Sequence, residues 1–171
     1  MSITLAARIQ QCSQLSGTFV LRSGKTSDTY FDKYQFESDP KLLHAIAEEL
    51  VHLLPANTEA LAGMEMGGIP LATMLGYLTG LPVAFIRKEP KSYGTCRYAE
   101  GIGLAGKRFV IVEDVVSSGG AILDALSKLK ADGCLPTRAI CVIDRQTGGK
   151  EALAAESLEL LGLFTYDDIV G

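Results

Sequence analysis

Two adjacent carboxylates, Glu113 and Asp114, follow an apolar run and precede a turn of small residues that leads into a helical pattern. Such a turn offers unpaired backbone N–H groups and the positive end of a helix dipole, which suit a phosphate monoester. Ionised carboxylates only accept hydrogen bonds, so beside a phosphate their natural partners are sugar hydroxyls. Residues 113–121 are therefore predicted to cradle a ribose 5-phosphate group. The alternative is that the two acids merely end a strand.

Two familiar phosphate motifs are absent from this segment. No Gly-Lys-Ser/Thr follows the turn, as a Walker A loop requires, and the GxGxxG of dinucleotide sites is missing. A second strand–turn–helix pattern spans residues 62–72 and contains Met66 and Gly67. Its turn is predicted to be another anion-binding nest, the alternative being a tight connection.

Three cations, Arg87, Lys88 and Lys91, lie within five residues, and Tyr93 follows them. They begin a polar stretch, residues 88–106, that has no clear periodicity and the length of a mobile functional loop. A solvated basic loop is the ordinary explanation, but two predicted anion nests elsewhere in the chain favour a phosphate-binding role.

Arg145 follows the apolar strand candidate at residues 137–143. A guanidinium at a strand end can bind a carboxylate through two parallel hydrogen bonds, although a surface ion pair with Asp144 is the alternative. Near the N-terminus, Tyr30 and Phe31 are adjacent aromatics, and core packing is the ordinary explanation for Phe31. Arg22 and Lys25 are the nearby cations.

The elements that must position these residues alternate between helix-like and strand-like patterns, which predicts an α/β fold with a parallel sheet. Helices are predicted over residues 3–15, 40–53, 67–77 and 120–131, with a short one from residue 150. Strands are predicted over residues 19–22, 29–32, 60–64, 82–87, 108–112, 137–143 and 158–163.

Length and composition fit one globular domain over residues 1–171, with 47% hydrophobic and 21% charged residues. A net charge of −4 argues against a nucleic-acid-binding surface. No secretory leader pattern and no long apolar run is present, so we expect a cytoplasmic protein without a membrane partner. The four cysteines lack metal-site spacing and are expected to be reduced thiols.

Residues 110–122 resemble the signature of type I phosphoribosyltransferases, which bind phosphoribosyl pyrophosphate (PRPP). The Arg-Lys-x-x-Lys pattern from Arg87 and the Asp-Arg-Gln-x-Gly-Gly string at residues 144–149 resemble the catalytic loop and base-binding turn of orotate phosphoribosyltransferases. The resemblance covers nearly the whole chain in the right order. This chain departs from the family pattern at Tyr93, where histidine is usual, and at Gly67, where some members carry lysine.

The resemblance implies a type I phosphoribosyltransferase fold, a mostly parallel sheet flanked by helices. It adds a small hood from residues 17–35 and the C-terminal segment. It implies catalytic roles for Lys91, Arg87, Lys88 and Tyr93. It implies PRPP contacts from Arg87, Lys88, Lys91, Tyr93, Met66, Gly67, Glu113, Asp114, Val115, Val116, Ser117, Ser118, Gly119, Gly120 and Ala121. It implies orotate contacts from Ser117, Arg145, Arg22, Lys25, Tyr30 and Phe31.

The activity implied is transfer of the phosphoribosyl group from PRPP to orotate, giving orotidine 5′-monophosphate and pyrophosphate. Mg²⁺ would be held mainly by PRPP, near Asp114, without a direct protein ligand set. The family also implies a homodimer that shares the catalytic loop between subunits. Two alternatives stay open: a phosphoribosyltransferase for another base such as a purine, and a ligand-sensing regulator without catalysis.

Overall fold

The computed structural model describes residues 3–20, 24, 26–90 and 98–170. Its elements, in chain order, are α1 (Leu5–Ser13), β1 (Gln14–Val20), β2 (Thr26–Phe31), α2 (Tyr34–Ser38), α3 (Pro40–Val51), β3 (Ala60–Met64), α4 (Gly68–Thr79), β4 (Val83–Ile86), β5 (Ala99–Gly101), β6 (Phe109–Val116), α5 (Gly120–Ala131), β7 (Arg138–Asp144), α6 (Gly149–Ala155), β8 (Leu160–Thr165) and α7 (Tyr166–Val170).

Six strands form one sheet in the order β5-β4-β3-β6-β7-β8, and β1 pairs with β2 in a separate antiparallel hairpin. Every pairing in the larger sheet is parallel except that of β4 with the edge strand β5. The predicted mostly parallel α/β sheet is therefore confirmed. Strands β4 and β5 are added on one side of β3, whereas β7 and β8 are added on the opposite side of β6. The direction in which strands are added therefore reverses between the two central strands, β3 and β6.

The central strands are buried on both faces, and alternate residues along them face different helices. On one face, Val110 and Val112 belong to the apolar cluster that contains Ile46 of α3 and Leu75 of α4. On the other, their neighbour Ile111 joins the cluster that contains residues of α5 and α6. This double cover explains why β6 is a continuous apolar run, as parallel strands between two helix layers usually are.

Four local expectations differ from the structure. The helix predicted over residues 3–15 ends at Ser13, and the strand predicted over residues 19–22 begins at Gln14, because Gln14 and Leu15 pair with β2. Strand β6 does not stop before the acids but continues to Val116, because Glu113 and Val115 pair with residues of β7. The predicted loop at residues 88–106 contains the edge strand β5, which pairs with β4. Helices α2 and α7 lie where no helix was predicted. Each has only five residues, too few for a recognisable apolar period.

The hairpin of β1 and β2 leads directly into α2. The Tyr34 amide donates to Asp32 Oδ1 at 3.1 Å, which fixes the turn between β2 and α2. At the other end of the chain, α7 packs against α1. Among the described residues, none of the helices has the length and apolar character needed to cross a bilayer.

Candidate active site

The predicted site residues gather at one edge of the sheet, where the parallel strands end. Arg87 and Lys88 follow β4, Met66 and Gly67 follow β3, the small-residue turn at residues 117–119 follows β6, and Arg145 follows β7. The strand order reverses between β3 and β6, and in open α/β sheets ligands bind beside the carboxyl ends of strands at such a point.

The turn between β6 and α5 surrounds a cavity of about 190 Å³. It is lined by Glu113, Val115, Val116, Ser117, Ser118, Gly119, Gly120, Ala121 and Ile122. Gly119 has a φ of +76°, the left-handed region that glycine adopts without strain, and α5 begins immediately after it. The exposed Ser117 and Ser118 and the first amides of α5 therefore form the concave, hydrogen-bond-donating surface that a phosphate needs.

The two acids of β6 are buried in the structure. Asp114 has no exposed surface and Glu113 is 7% exposed. The Asp114 amide donates to Glu113 Oε1 at 2.9 Å, and Lys33 Nζ lies 2.5 Å from Asp114 Oδ2. A third buried carboxylate, Glu37 of α2, lies beside this pair. The three acidic side chains Glu37, Glu113 and Asp114 therefore lie close together, beside the turn that follows β3.

Burial and the shared negative charge alter the ionisation of this cluster. Burial raises the pKa of Glu37 to about 8, with added contributions from a hydrogen bond to Asp114 and its charge. Burial and the Asp114 charge raise the pKa of Glu113 well above its usual range. Burial also acts to raise the pKa of Asp114, but hydrogen bonds from Lys33 and the neighbouring carboxyls outweigh it and lower that pKa. Of the three acids, only Asp114 has a pKa below its ordinary value.

The turn after β3 approaches these acids closely. A Cβ atom at Gly67 would overlap Asp114 Oδ2 and lie 2.6 Å from Glu37 Oε1, so only glycine fits this conformation. The peptide bond between Glu65 and Met66 is cis, and the Met66 side chain is 58% exposed. With α4 beginning at Gly68, free amides at this turn face the same edge as the phosphate cavity.

The cations after β4 are tied to this second turn. The Lys88 amide donates to Glu65 Oε2 at 3.0 Å, and the Arg87 amide donates to the Tyr98 carbonyl at 3.0 Å. Lys88 therefore lies next to the second predicted anion turn, and Arg87 directly precedes it in the chain. Lys91 and Tyr93 lie outside the described residues, so their positions stay predictions.

Arg145 belongs to a cavity of about 270 Å³ on the other side of the phosphate turn. The cavity is lined by Tyr30, Phe31, Lys33, Tyr34, Val115, Ser117, Ile143, Arg145 and Tyr166. The Arg145 guanidinium carbon lies 4.7 Å from the centre of the Tyr166 ring, whereas Asp144 Oδ1 accepts the Gln146 amide. This arrangement favours the carboxylate-binding prediction over a surface ion pair with Asp144.

The structure brings Tyr30 and Phe31 to the same cavity as Arg145, as predicted for a base site. Arg22 and Lys25 lie outside the described residues. Sequence reasoning did not identify Lys33, Glu37 or Tyr166 as site residues. The one sequence signal for Lys33 was that it lies two positions after Phe31, a predicted base contact. No local sequence pattern indicated a site role for Glu37 or Tyr166.

Within the described ranges, no group of three or more His, Cys, Asp or Glu side chains is arranged to hold a metal ion. A resident metal cage is therefore not built from these residues. Mg²⁺ usually takes its ligands from substrate phosphates and water with one or two carboxylates, and Glu113 and Asp114 supply carboxylates at this edge. The donor set therefore fits a cation that arrives with a phosphorylated substrate.

A mostly parallel sheet with an acidic strand end, a phosphate turn and a second anion turn at one edge defines a phosphoribosyltransferase. Residues 35–157 match the phosphoribosyl transferase domain family. An orotate phosphoribosyltransferase of Nocardioides sp. is 47% identical over 169 residues, covering 99% of this chain and 94% of that protein. This chain belongs to the orotate phosphoribosyltransferase family.

Two further comparisons agree with this assignment. An orotate phosphoribosyltransferase of Methanocella arvoryzae is 38% identical, covering 91% of this chain and 89% of that protein. The crystal structure of Mycobacterium tuberculosis orotate phosphoribosyltransferase in complex with Fe(III) dicitrate superposes with a TM-score of 0.87 at 27% identity. The superposition covers 96% of each chain. The expected type I phosphoribosyltransferase fold is therefore confirmed.

Proposed function

We propose that this protein transfers the 5-phosphoribosyl group of PRPP to orotate in pyrimidine biosynthesis. The bond between C1′ and the pyrophosphate oxygen breaks, and a bond between C1′ and a ring nitrogen of orotate forms. The products are orotidine 5′-monophosphate and pyrophosphate. The pyrophosphate oxygen keeps the electron pair of the broken bond, and the anionic ring nitrogen supplies the pair for the new one.

The order of the strand ends across the sheet carries this proposal. The cations after β4 and the amide turn after β3 lie on one side of the acid pair and phosphate turn of β6. Arg145 after β7 and the aromatic residues of its cavity lie on the other side. A leaving pyrophosphate and an incoming carboxylated base need sites on opposite sides of C1′, and the order of these groups along the edge supports that arrangement.

Each group has a physical role in the reaction. Departure of pyrophosphate leaves positive charge on the ribosyl centre and negative charge on the leaving group. Preorganised donors at the amide turn and the cations Arg87 and Lys88 would stabilise that negative charge. We assign the same role to Lys91, with Tyr93 as a neutral hydrogen-bond donor to phosphate oxygen. The turn at residues 115–121 would hold the 5′-phosphate, and the acid pair would accept the ribose hydroxyls.

Mg²⁺ fits this scheme as a cation bound with PRPP, where it would supply further neutralisation of charge on the leaving group. Glu113 and Asp114 are the carboxylates that would orient the ribose hydroxyls near it. No strong general base is needed, because the ring nitrogen of orotate can be anionic.

The surrounding elements suggest how water is excluded. We propose one domain over residues 1–171 in which residues 17–35 and the C-terminal segment form a hood over the base. Within residues 88–106, the part before β5 would form the closing loop, because residues 99–101 pair with β4. We also propose a cytoplasmic homodimer in which the loop of one subunit reaches the site of the other. Sedimentation should then give a dimer, whereas a fully active monomer would contradict the shared loop.

Arg145 is the residue that favours orotate over another base. Orotate carries a ring carboxylate that a guanidinium can bind through two hydrogen bonds, whereas adenine and hypoxanthine carry none. The relatives named above are orotate enzymes, which agrees with this choice. A ligand-sensing regulator without catalysis is disfavoured because the chain has the loop cations Arg87, Lys88 and Lys91. Its net charge of −4 also disfavours the basic surface that a nucleic-acid-binding regulator would need.

The test is the loss of orotate absorbance on mixing the protein with PRPP and Mg²⁺. We expect turnover with orotate and little pyrophosphate release with adenine, hypoxanthine or uracil. Arg145→Ala should reduce kcat/KM for orotate by roughly 10–100-fold, the cost of losing hydrogen bonds to a charged group. Arg8→Ala on α1 is the control, because this half-buried arginine lines neither cavity. Equal turnover with a purine base, or undiminished orotate turnover by Arg145→Ala, would contradict the proposal.

A further inference from the structure

Tyr166 contacts two other residues of the base cavity. Its ring lies beneath the Arg145 guanidinium, with 4.7 Å between the guanidinium carbon and the ring centre. The Phe31 ring meets it edge-on, with 6.3 Å between ring centres and an interplanar angle of 74°. Tyr166 is half-buried and lies at the start of α7, so it joins the C-terminal segment to the hairpin and to the end of β7.

The backbone around Tyr166 is held by reciprocal bonds between Thr165 and Asp168. The Thr165 amide and hydroxyl donate to Asp168 Oδ2 at 2.8 and 2.6 Å, and the Asp168 amide donates back to Thr165 Oγ1 at 3.3 Å. This is the hydrogen-bonding pattern of a capping box, in which two side chains accept hydrogen bonds from backbone N–H groups at the start of a helix. Ile169, three residues after Tyr166, is buried against α1 and the core, so the short helix cannot rotate freely.

Arg145 itself is an exposed residue on the turn that follows β7. A free arginine side chain populates many rotamers, and binding a carboxylate through two hydrogen bonds requires one of them. An aromatic face within about 6 Å of a guanidinium attracts it and limits those alternatives. The position of Tyr166 therefore decides where the guanidinium is before any base enters.

We propose that Tyr166 is a positioning residue that determines base specificity by holding the Arg145 guanidinium at the wall of the base cavity. The proposal rests on the function proposed above, because its ligand is the carboxylate of orotate. Phe31 supports the ring from its edge, and the Thr165–Asp168 bonds support its backbone. The hydroxyl of Tyr166 has no part in this role; the ring face does.

The experiment compares Tyr166→Leu with Tyr166→Phe and with the control Tyr77→Leu. Tyr77 lies on α4, is 82% exposed and belongs to neither cavity. Loss of the ring should raise KM for orotate by about 3- to 30-fold, the range expected for a cation–π contact. KM for PRPP should not change. Tyr166→Phe should restore the parent KM for orotate, because it retains the ring.

A double-mutant cycle with Arg145→Ala separates positioning from a merely structural role. If Tyr166 acts through the guanidinium, Tyr166→Leu should have no further effect on KM for orotate once Arg145 is removed. Thermal unfolding of each variant checks that the proteins are folded.

Additive effects of the two substitutions would overturn the proposal, as would an unchanged KM for orotate in Tyr166→Leu. A parent protein without orotate turnover would instead refute the proposed function, so the two failures are distinguishable.

Discussion

Lys33 Nζ lies 2.5 Å from Asp114 Oδ2 and covers a carboxylate that has no exposed surface of its own. Burial acts to lower the pKa of Lys33, but the hydrogen bond to Asp114 and its charge outweigh burial and raise that pKa. The Lys33 side chain is 35% exposed and also lines the base cavity. A ribose hydroxyl can therefore reach Asp114 only if the Lys33 side chain moves.

Replacing Lys33 by methionine should destabilise the protein. The substitution keeps the length of the side chain but leaves the buried Asp114 carboxylate without its cation. Breaking a fully buried pair costs ~3–5 kcal/mol, and the partial exposure of Lys33 reduces the expected loss to about 1–3 kcal/mol. Urea unfolding at neutral pH measures it, with the exposed Lys41→Met as the control. A free energy of unfolding equal to that of the parent would show that the ion pair contributes nothing.

Glu37 should make the protein less stable as the pH rises. Its pKa is about 8 in the fold, against 4.5 for an ordinary glutamate, so between these values the folded state binds more protons than the unfolded state. The free energy of unfolding should therefore fall from about pH 4.5 to about pH 8 and level off above that. Glu37→Gln should flatten this dependence. A parent and a variant with parallel pH profiles would rule out the raised pKa.

The ends of β3, β4 and β7 were predictable from sequence, because each coincides within a residue with a change from a buried apolar run to small or charged residues. Parallel pairing then dictates that Gly67, Ser117 and Arg145 meet at one edge. The extent of β6 was not predictable, because Glu113 continues the strand only through its pairing with Cys141 of β7.

Lys33, Glu37 and Tyr166 were missed for a different reason. Their roles depend on packing between segments distant in sequence: α2 against the end of β6, and α7 against the turn after β7. The two helices have five residues each, and helices of that length are stabilised by tertiary packing rather than by local propensity. No local pattern could therefore assign their side chains to the site.

Gly67 should not tolerate a side chain. In Gly67→Ala the added Cβ would overlap Asp114 Oδ2, so the turn or the acid must shift. We expect a loss of about 1–3 kcal/mol in the free energy of unfolding, as overpacked sites show, together with weaker PRPP binding. Gly103→Ala is the matched control, since a Cβ there meets nothing within 4 Å. An alanine variant with parental stability and PRPP affinity would refute this close packing.

Replacing Lys91 should lower the rate of turnover far more than it lowers the stability of the fold. If it stabilises charge on the departing pyrophosphate, Lys91→Ala should lower kcat by about 10²–10³, the cost of one preorganised donor. Its thermal unfolding should match that of the parent. Lys107→Ala is the control, at an exposed lysine two residues before the start of β6. A kcat equal to that of the parent would remove Lys91 from the mechanism.

Calorimetric titration of PRPP into the folded protein in the presence of Mg²⁺ tests whether residues 113–121 hold a phosphorylated ribose. We expect saturable uptake at a single site per chain, with ribose 5-phosphate as a competitor. Absence of uptake by well-folded protein, or uptake that ribose 5-phosphate does not diminish, would contradict it.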